Sequence, residues 1–276
     1  MSGETRAVGT RLRTEWSLVV LVAVGVAVVG THFVGTTVGE RAGRGWLFVV
    51  GGIFAFELWV LSRRLPGSDE RDGPNRRSLG LANAITLVRG MLYAVAGGFL
   101  AVPPVEGVRW APGLCYGVGA ALDSLDGWVA RRTGRQSALG AKLDLAFDTL
   151  GFLVVPLVGV AWGRLPVWYL AIGAAGYLFR GGVAYRRYRG RYVAPLPPSR
   201  VRRPLAAFQM VVVTVALLPV LPTGVTMPLA TAAMVPSLLV FARDWFVVSG
   251  RLAPGRSRDD SRTPEPETLP GGQGDD

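Results

Sequence analysis

The sequence contains one cysteine, Cys115, and one histidine, His32. One cysteine excludes an intrachain disulfide, the two residues together are too few for a zinc finger, and no Cys/His catalytic pair is expected from them. Any metal bound by side chains must therefore be held by oxygen. Acids are also few, 19 Asp plus Glu against 30 Lys plus Arg, for a net charge of +11. The short apolar–polar alternation of a soluble domain is missing as well. Half of the 276 residues are hydrophobic, and they gather in long runs. In a soluble chain the positive charge would suggest nucleic acid. Here the arginines sit in short loops between apolar stretches, which reads as membrane topology and not as a nucleic-acid partner.

Crossing about 30 Å of hydrocarbon takes roughly 20 residues of helix. Eight segments qualify: 16–38, 46–61, 84–102, 110–125, 143–162, 166–185, 205–221 and 227–249. The sequence therefore predicts an all-α, polytopic integral membrane protein. The first stretch lacks a small-residue cleavage site and is followed directly by further spans, so it reads as a retained helix. Residues 65–78, with Pro66, Gly67, Asp69, Glu70, Asp72 and Pro74, read as a cytoplasmic linker. It separates an N-terminal helical pair (1–64) from a six-helix core (79–252). The tail 253–276 is rich in Pro, Gly, Ser and acids, and its lack of apolar residues predicts disorder. Loops after the second, fourth and sixth segments carry Arg63, Arg64, Arg131, Arg132, Arg186 and Arg187 among others. The opposite loops hold only Arg41, Arg44, Arg109 and Arg164. The positive-inside rule places the first set, and both termini, in the cytoplasm.

Against this scarcity of acids, four aspartates fall within 123–148, at the cytoplasmic ends of two consecutive spans. Bare charge near hydrocarbon is costly, so such acids usually face a cavity and have a partner or an ion. Asp123 and Asp126 are three residues apart and Asp144 and Asp148 four, so each pair projects from one helix face and the two pairs can converge. Gly127 and Ala130 share the first face, and Gly140 lies one turn before Asp144. Small residues there allow close approach of a helix or ligand. Carboxylate oxygens favour hard cations such as Mg²⁺, Mn²⁺ or Ca²⁺, and the first two suit phosphate chemistry. The structural alternative is ion pairing of these aspartates with Arg131, Arg132, Arg135 or Lys142.

Written as a pattern, Asp123-x-x-Asp126-Gly127-x-x-Ala130-Arg131, eight residues, then Gly140-x-x-x-Asp144-x-x-x-Asp148, resembles the signature of the CDP-alcohol phosphatidyltransferase family at all eight specified positions. Upstream, Asn83, Thr86 and Arg89 resemble that family's pattern at the start of its first core helix, with Ala82 where Pro is common. The resemblance covers roughly 79–249. It implies a six-helix core, a homodimer, and two divalent ions, Mg²⁺ or Mn²⁺, at the cytoplasmic membrane face. By the same resemblance Asp123, Asp126, Asp144 and Asp148 are metal ligands and Asp148 is also the general base. Gly127, Ala130, Arg131 and Gly140 hold the CDP portion. The implied reaction, in phospholipid biosynthesis, moves a phospholipid group from CDP-diacylglycerol or CDP-archaeol to a small alcohol and releases CMP. Ser199, Arg200 and Arg203 lie where some family members that accept a phosphorylated alcohol have basic residues. Glycerol phosphate, inositol phosphate, serine and other alcohols stay open as acceptors.

Two other classes remain: a divalent-cation transporter or channel lined by the aspartates, and a noncatalytic scaffold. Arg89, Arg180 and Arg243 lie near cytoplasmic span ends, where snorkelling toward water is an alternative to any role in chemistry. His32 and Cys115 are expected to be packing residues. Trp16, Trp46, Trp110, Trp162 and Trp168 fall near segment ends, where interface anchoring is expected.

Overall fold

The computed structural model describes the backbone of residues 3–64, 80–133, 138–196, 199 and 201–252. It describes side chains for 17–60, 62, 84–125, 147, 151–196, 199 and 201–252. Each of the eight apolar segments becomes one long helix. These are α1 (Gly3–Thr37), α2 (Glu40–Arg64), α3 (Gly80–Gly98), α4 (Ala111–Thr133), α5 (Ala138–Ala161), α6 (Ala171–Tyr188), α7 (Arg202–Leu217) and α8 (Thr223–Val248). Short 3₁₀ turns at Phe99–Ala101 and Val167–Leu170 follow α3 and precede α6. The linker 65–78 and the tail 253–276 lie outside the described residues.

Among the described residues four stretches are long and apolar enough to cross a membrane: Ser17–Thr37, Glu40–Val60, Ala84–Ala101 and Thr223–Val248. A shorter apolar run, Gly151–Ala161, lies in α5. Leu18, Leu21, Val24, Val28 and Val29 of α1 are all exposed. A continuous apolar face of this kind is at home in lipid and not in water. The chain is an all-helical, polytopic integral membrane protein.

Close glycine contacts fix the helix registers. A Cβ on Gly98 would strike Trp46 and Val50, and one on Gly97 would strike Ile53, so α2 runs antiparallel to α3. On α3 and α4, Arg89 pairs with Asp123 and Tyr93 abuts Gly119, again antiparallel. On α3 and α5, Gly90 meets Phe147, Tyr93 meets Gly151 and Gly97 meets Val154, a parallel pairing. Gly113 against Leu218 and Gly117 against Thr214 make α4 and α7 antiparallel. Tyr93 is the hub of this packing. A Cβ on Gly119 would lie 2.5 Å from its ring and one on Gly151 2.7 Å, while the Tyr116 ring sits 5.2 Å away. Glycine is required at both positions because the aromatic ring fills the space.

Trp46 corrects the anchoring expectation. It is 1% exposed, packs edge-on against Phe99 at 6.4 Å and belongs to the core, because α2 begins at Glu40 and carries it nearly two turns inside. Trp162 is half-buried and donates through Nε1 to the Val102 carbonyl at 2.8 Å. Trp110 and Trp168 are exposed, as anchors are, and the Trp16 side chain lies outside the described residues. His32 is on the exposed face of α1, so it does not pack inside, whereas Cys115 packs against the core. Arg164 donates to the carbonyls of Ala216, Leu218 and Leu221 at 2.8–2.9 Å, satisfying orphan acceptors at the end of α7.

Candidate active site

Asp123 is the signature aspartate whose side chain is described. Its Oδ1 accepts from Nη1 of Arg89. The Arg89 side chain has no exposed surface, whereas that of Asp123 is 34% exposed. Snorkelling is therefore excluded for Arg89: it turns inward and brings a cation to the motif. A buried guanidinium needs such a partner.

The side chains of Asp126, Gly127, Ala130, Arg131, Gly140, Asp144 and Asp148 lie outside the described residues, as do those of Arg132, Arg135 and Lys142. Their backbone places 126, 127, 130 and 131 on α4 and 140, 144 and 148 on α5. Helix register adds their depth. α3 pairs Gly90 with Phe147 in parallel and Arg89 with Asp123 in antiparallel. Position 123 is consequently level with about 146, between Asp144 and Asp148, and position 126 is level with about 143. Both aspartate pairs thus occupy one depth at one end of the bundle. Among the described residues no three His, Cys, Asp or Glu side chains gather into a metal-sized cluster.

Beside this level lies a cavity of about 320 Å³ between α5, α6, α7 and α8. Its walls include Phe152, Ile172, Leu205 and Phe241, and its polar groups are Arg180, Arg202, Asp244, Gln209 and Ser237. Phe152 follows Asp148 by four residues, so positions 144, 148 and 152 share one face of α5 and lead to the cavity wall. Arg202 grips Asp244 bidentately, Nε to Oδ2 at 2.6 Å and Nη2 to Oδ1 at 3.0 Å, with Asp244 only 7% exposed. Deeper in, the Tyr169 hydroxyl donates to Gln209 Oε1 at 2.6 Å. Gln209 Nε2 donates to the Ala233 carbonyl and to Ser237 Oγ. This satisfied network makes a rigid polar floor. Arg180 is exposed at the mouth, its guanidinium 5.5 Å from the Tyr177 ring centre.

Of the residues expected to hold an acceptor phosphate, Arg200 lies outside the described residues. Ser199 accepts from the Val201 N–H at 3.3 Å, and Arg203 is exposed on the first turn of α7. Neither lines the cavity, but the neighbouring Arg202 does, as does Arg180 from α6. Sequence reasoning passed over Asp244 and Gln209. The signal was present, because each is an isolated polar residue in an apolar span.

A family profile for CDP-alcohol phosphatidyltransferases matches residues 79–248. Among curated proteins, an archaetidylinositol phosphate synthase from Pyrococcus horikoshii is 34% identical over 100 residues, 36% of this chain and 50% of the relative. The chain thus spans about half the length of that curated relative. No solved structure matches.

Proposed function

Because the chain belongs to the CDP-alcohol phosphatidyltransferase family, we propose that it transfers a phospholipid group from a CDP-linked lipid to a small phosphorylated alcohol and releases CMP. The observation that carries this reading is the common depth of positions 123, 126, 144 and 148, with Arg89 on Asp123 and the cavity alongside. The named relative favours an inositol phosphate acceptor and a CDP-archaeol donor. Glycerol phosphate and CDP-diacylglycerol are the competitors to test beside them.

The donor set fits a hard metal. The motif supplies carboxylates alone, and Cys115 lies two turns from Asp123 on the same helix. Asp123, Asp126, Asp144 and Asp148 would hold two Mg²⁺ or Mn²⁺ ions, which supply charge neutralisation for the donor diphosphate and the departing CMP. The chain does the rest. Gly127, Ala130, Arg131 and Gly140 seat the CDP portion, while the lipid tails stay in the bilayer. Arg89 holds the Asp123 carboxylate in place. Arg180 and Arg202 attract the acceptor phosphate, the Asp244 carboxylate fixing the orientation of the Arg202 guanidinium.

Asp148 takes the acceptor hydroxyl proton as that oxygen attacks the lipid-bearing phosphorus. The phosphorus–oxygen bond to CMP breaks, and its electrons leave on the CMP phosphate. No covalent protein nucleophile is needed. The site faces the cytoplasm, where the arginine-rich loops lie, and the protein works as a homodimer. The test is CMP release by the purified protein with Mg²⁺ or Mn²⁺, across CDP-lipids and single acceptors. Turnover that requires one acceptor identifies the substrate. Metal binding without CMP release points instead to a cation transporter, and neither activity points to a scaffold.

A further inference from the structure

The family match begins at residue 79, so the helical pair α1–α2 lies outside it. That pair nonetheless brings an acid to the depth of the motif. Glu57 of α2 is 7% exposed, and its Oε1 is buried with no hydrogen-bond partner among the described residues. An uncompensated acid inside a span is costly, and such residues are retained where they serve function.

Its position is specific. A Cβ built on Gly90 would meet Glu57 Oε1 at 3.0 Å and Phe147 Cδ2 at 3.0 Å. Three helices therefore close on one point: α2 through Glu57, α3 through Gly90 and α5 through Phe147. Gly90 follows Arg89, which holds Asp123, and Phe147 precedes Asp148. Among the described residues, the small cavity that Glu57 lines is otherwise walled by apolar side chains, Val19, Ala23, Phe54, Leu58, Leu87 and Met91. Anchoring alone does not call for a carboxyl here. Ile53 and Phe54, one turn away, already pack the hairpin with apolar surface, and a Leu of similar volume would avoid the desolvation cost.

We propose that Glu57 is a positioning residue of the transferase site, setting the depth of α3 between α2 and α5 so that Arg89 presents Asp123 level with Asp144 and Asp148. The amino-terminal pair is then part of the catalytic scaffold. This inference rests on the transferase reading above, and the experiment separates the two.

Mg²⁺-dependent CMP release is measured for the full chain in lipid nanodiscs, together with Glu57→Gln, Glu57→Leu and Gly90→Ala. Thermal unfolding of each is followed in parallel. Glu57→Gln keeps shape and a carbonyl oxygen, and turnover within about threefold of wild type is expected. Glu57→Leu removes the polar atoms, and turnover should fall about tenfold or more while the Mg²⁺ concentration for half-maximal rate rises. Gly90→Ala pushes on Glu57 and Phe147 from the other side and should shift the Mg²⁺ requirement in the same direction. Wild-type turnover and Mg²⁺ requirement in Glu57→Leu and Gly90→Ala would overturn the role of Glu57. So would a lowered unfolding temperature with an unchanged Mg²⁺ requirement. No CMP from the wild type with any CDP-lipid would instead overturn the transferase reading.

Discussion

Arg89 of α3 is wholly buried and donates to Asp123 of α4, so the first core helix and the first motif helix are tied together at the site itself. Removing the cation leaves Asp123 without its partner. Arg89→Met should reduce CMP release by about 100-fold. It should also destabilise the fold by about 3 kcal/mol, the cost of breaking a buried pair. Arg89→Lys keeps the charge but loses the planar fork, and should fall between. Steady-state kinetics and thermal unfolding in the same lipid check both.

Asp148→Asn removes the proposed base without changing size. Turnover should fall about 10²- to 10⁴-fold, with membrane insertion and unfolding temperature close to wild type. Chelation of divalent ions should silence the wild type, and added Mg²⁺ or Mn²⁺ should restore it. Near-normal turnover in Asp148→Asn would remove its assigned role.

Arg202→Ala should raise the KM for a phosphorylated acceptor by about tenfold or more and leave the KM for the CDP-lipid little changed. Asp244→Asn frees Arg202 from its bidentate partner and should weaken acceptor binding less than Arg202→Ala. Ser199→Ala and Arg203→Ala, which lie off the cavity, serve as comparisons.

Gly119→Val places methyl groups where the Tyr93 ring lies, since a Cβ alone would be 2.5 Å from it. Overpacking at this hub should cost about 1–3 kcal/mol, read as a lowered unfolding temperature. Tyr93→Leu combined with Gly119→Val should recover part of the loss, because the ring is what the new side chain strikes.

Deleting residues 1–72 strips α2 from α3 and uncovers Phe99 and the face that Trp46, Val50 and Ile53 bury. The remaining six-helix chain should release CMP at well under a tenth of the full-length rate, an order-of-magnitude expectation for a displaced site. Full activity in the truncated chain would show that the first two spans only anchor.

The sequence by itself determined the fold class and the family. Eight apolar runs of spanning length admit only helices in a bilayer, because every backbone amide must be satisfied within the segment. The spacing 123, 126, 144, 148 placed each acid pair on one helix face by periodicity alone. Both properties are local, a matter of a few turns of one helix. Which helices touch, and at what depth, is not local and was decided only in the tertiary structure. Arg89 lies 34 residues before Asp123, and its sequence position left snorkelling and a role in the site both open until α3 and α4 packed around Tyr93. Trp46 read as an interface anchor until α2 carried it into the core. Arg202, Asp244 and Gln209 become cavity walls only because α7 and α8 meet, and Glu57 comes close to Gly90 only because α2 packs on α3. A side chain's role in a bundle depends on what fills the space beyond its tip, and periodicity along one helix carries no record of its neighbour.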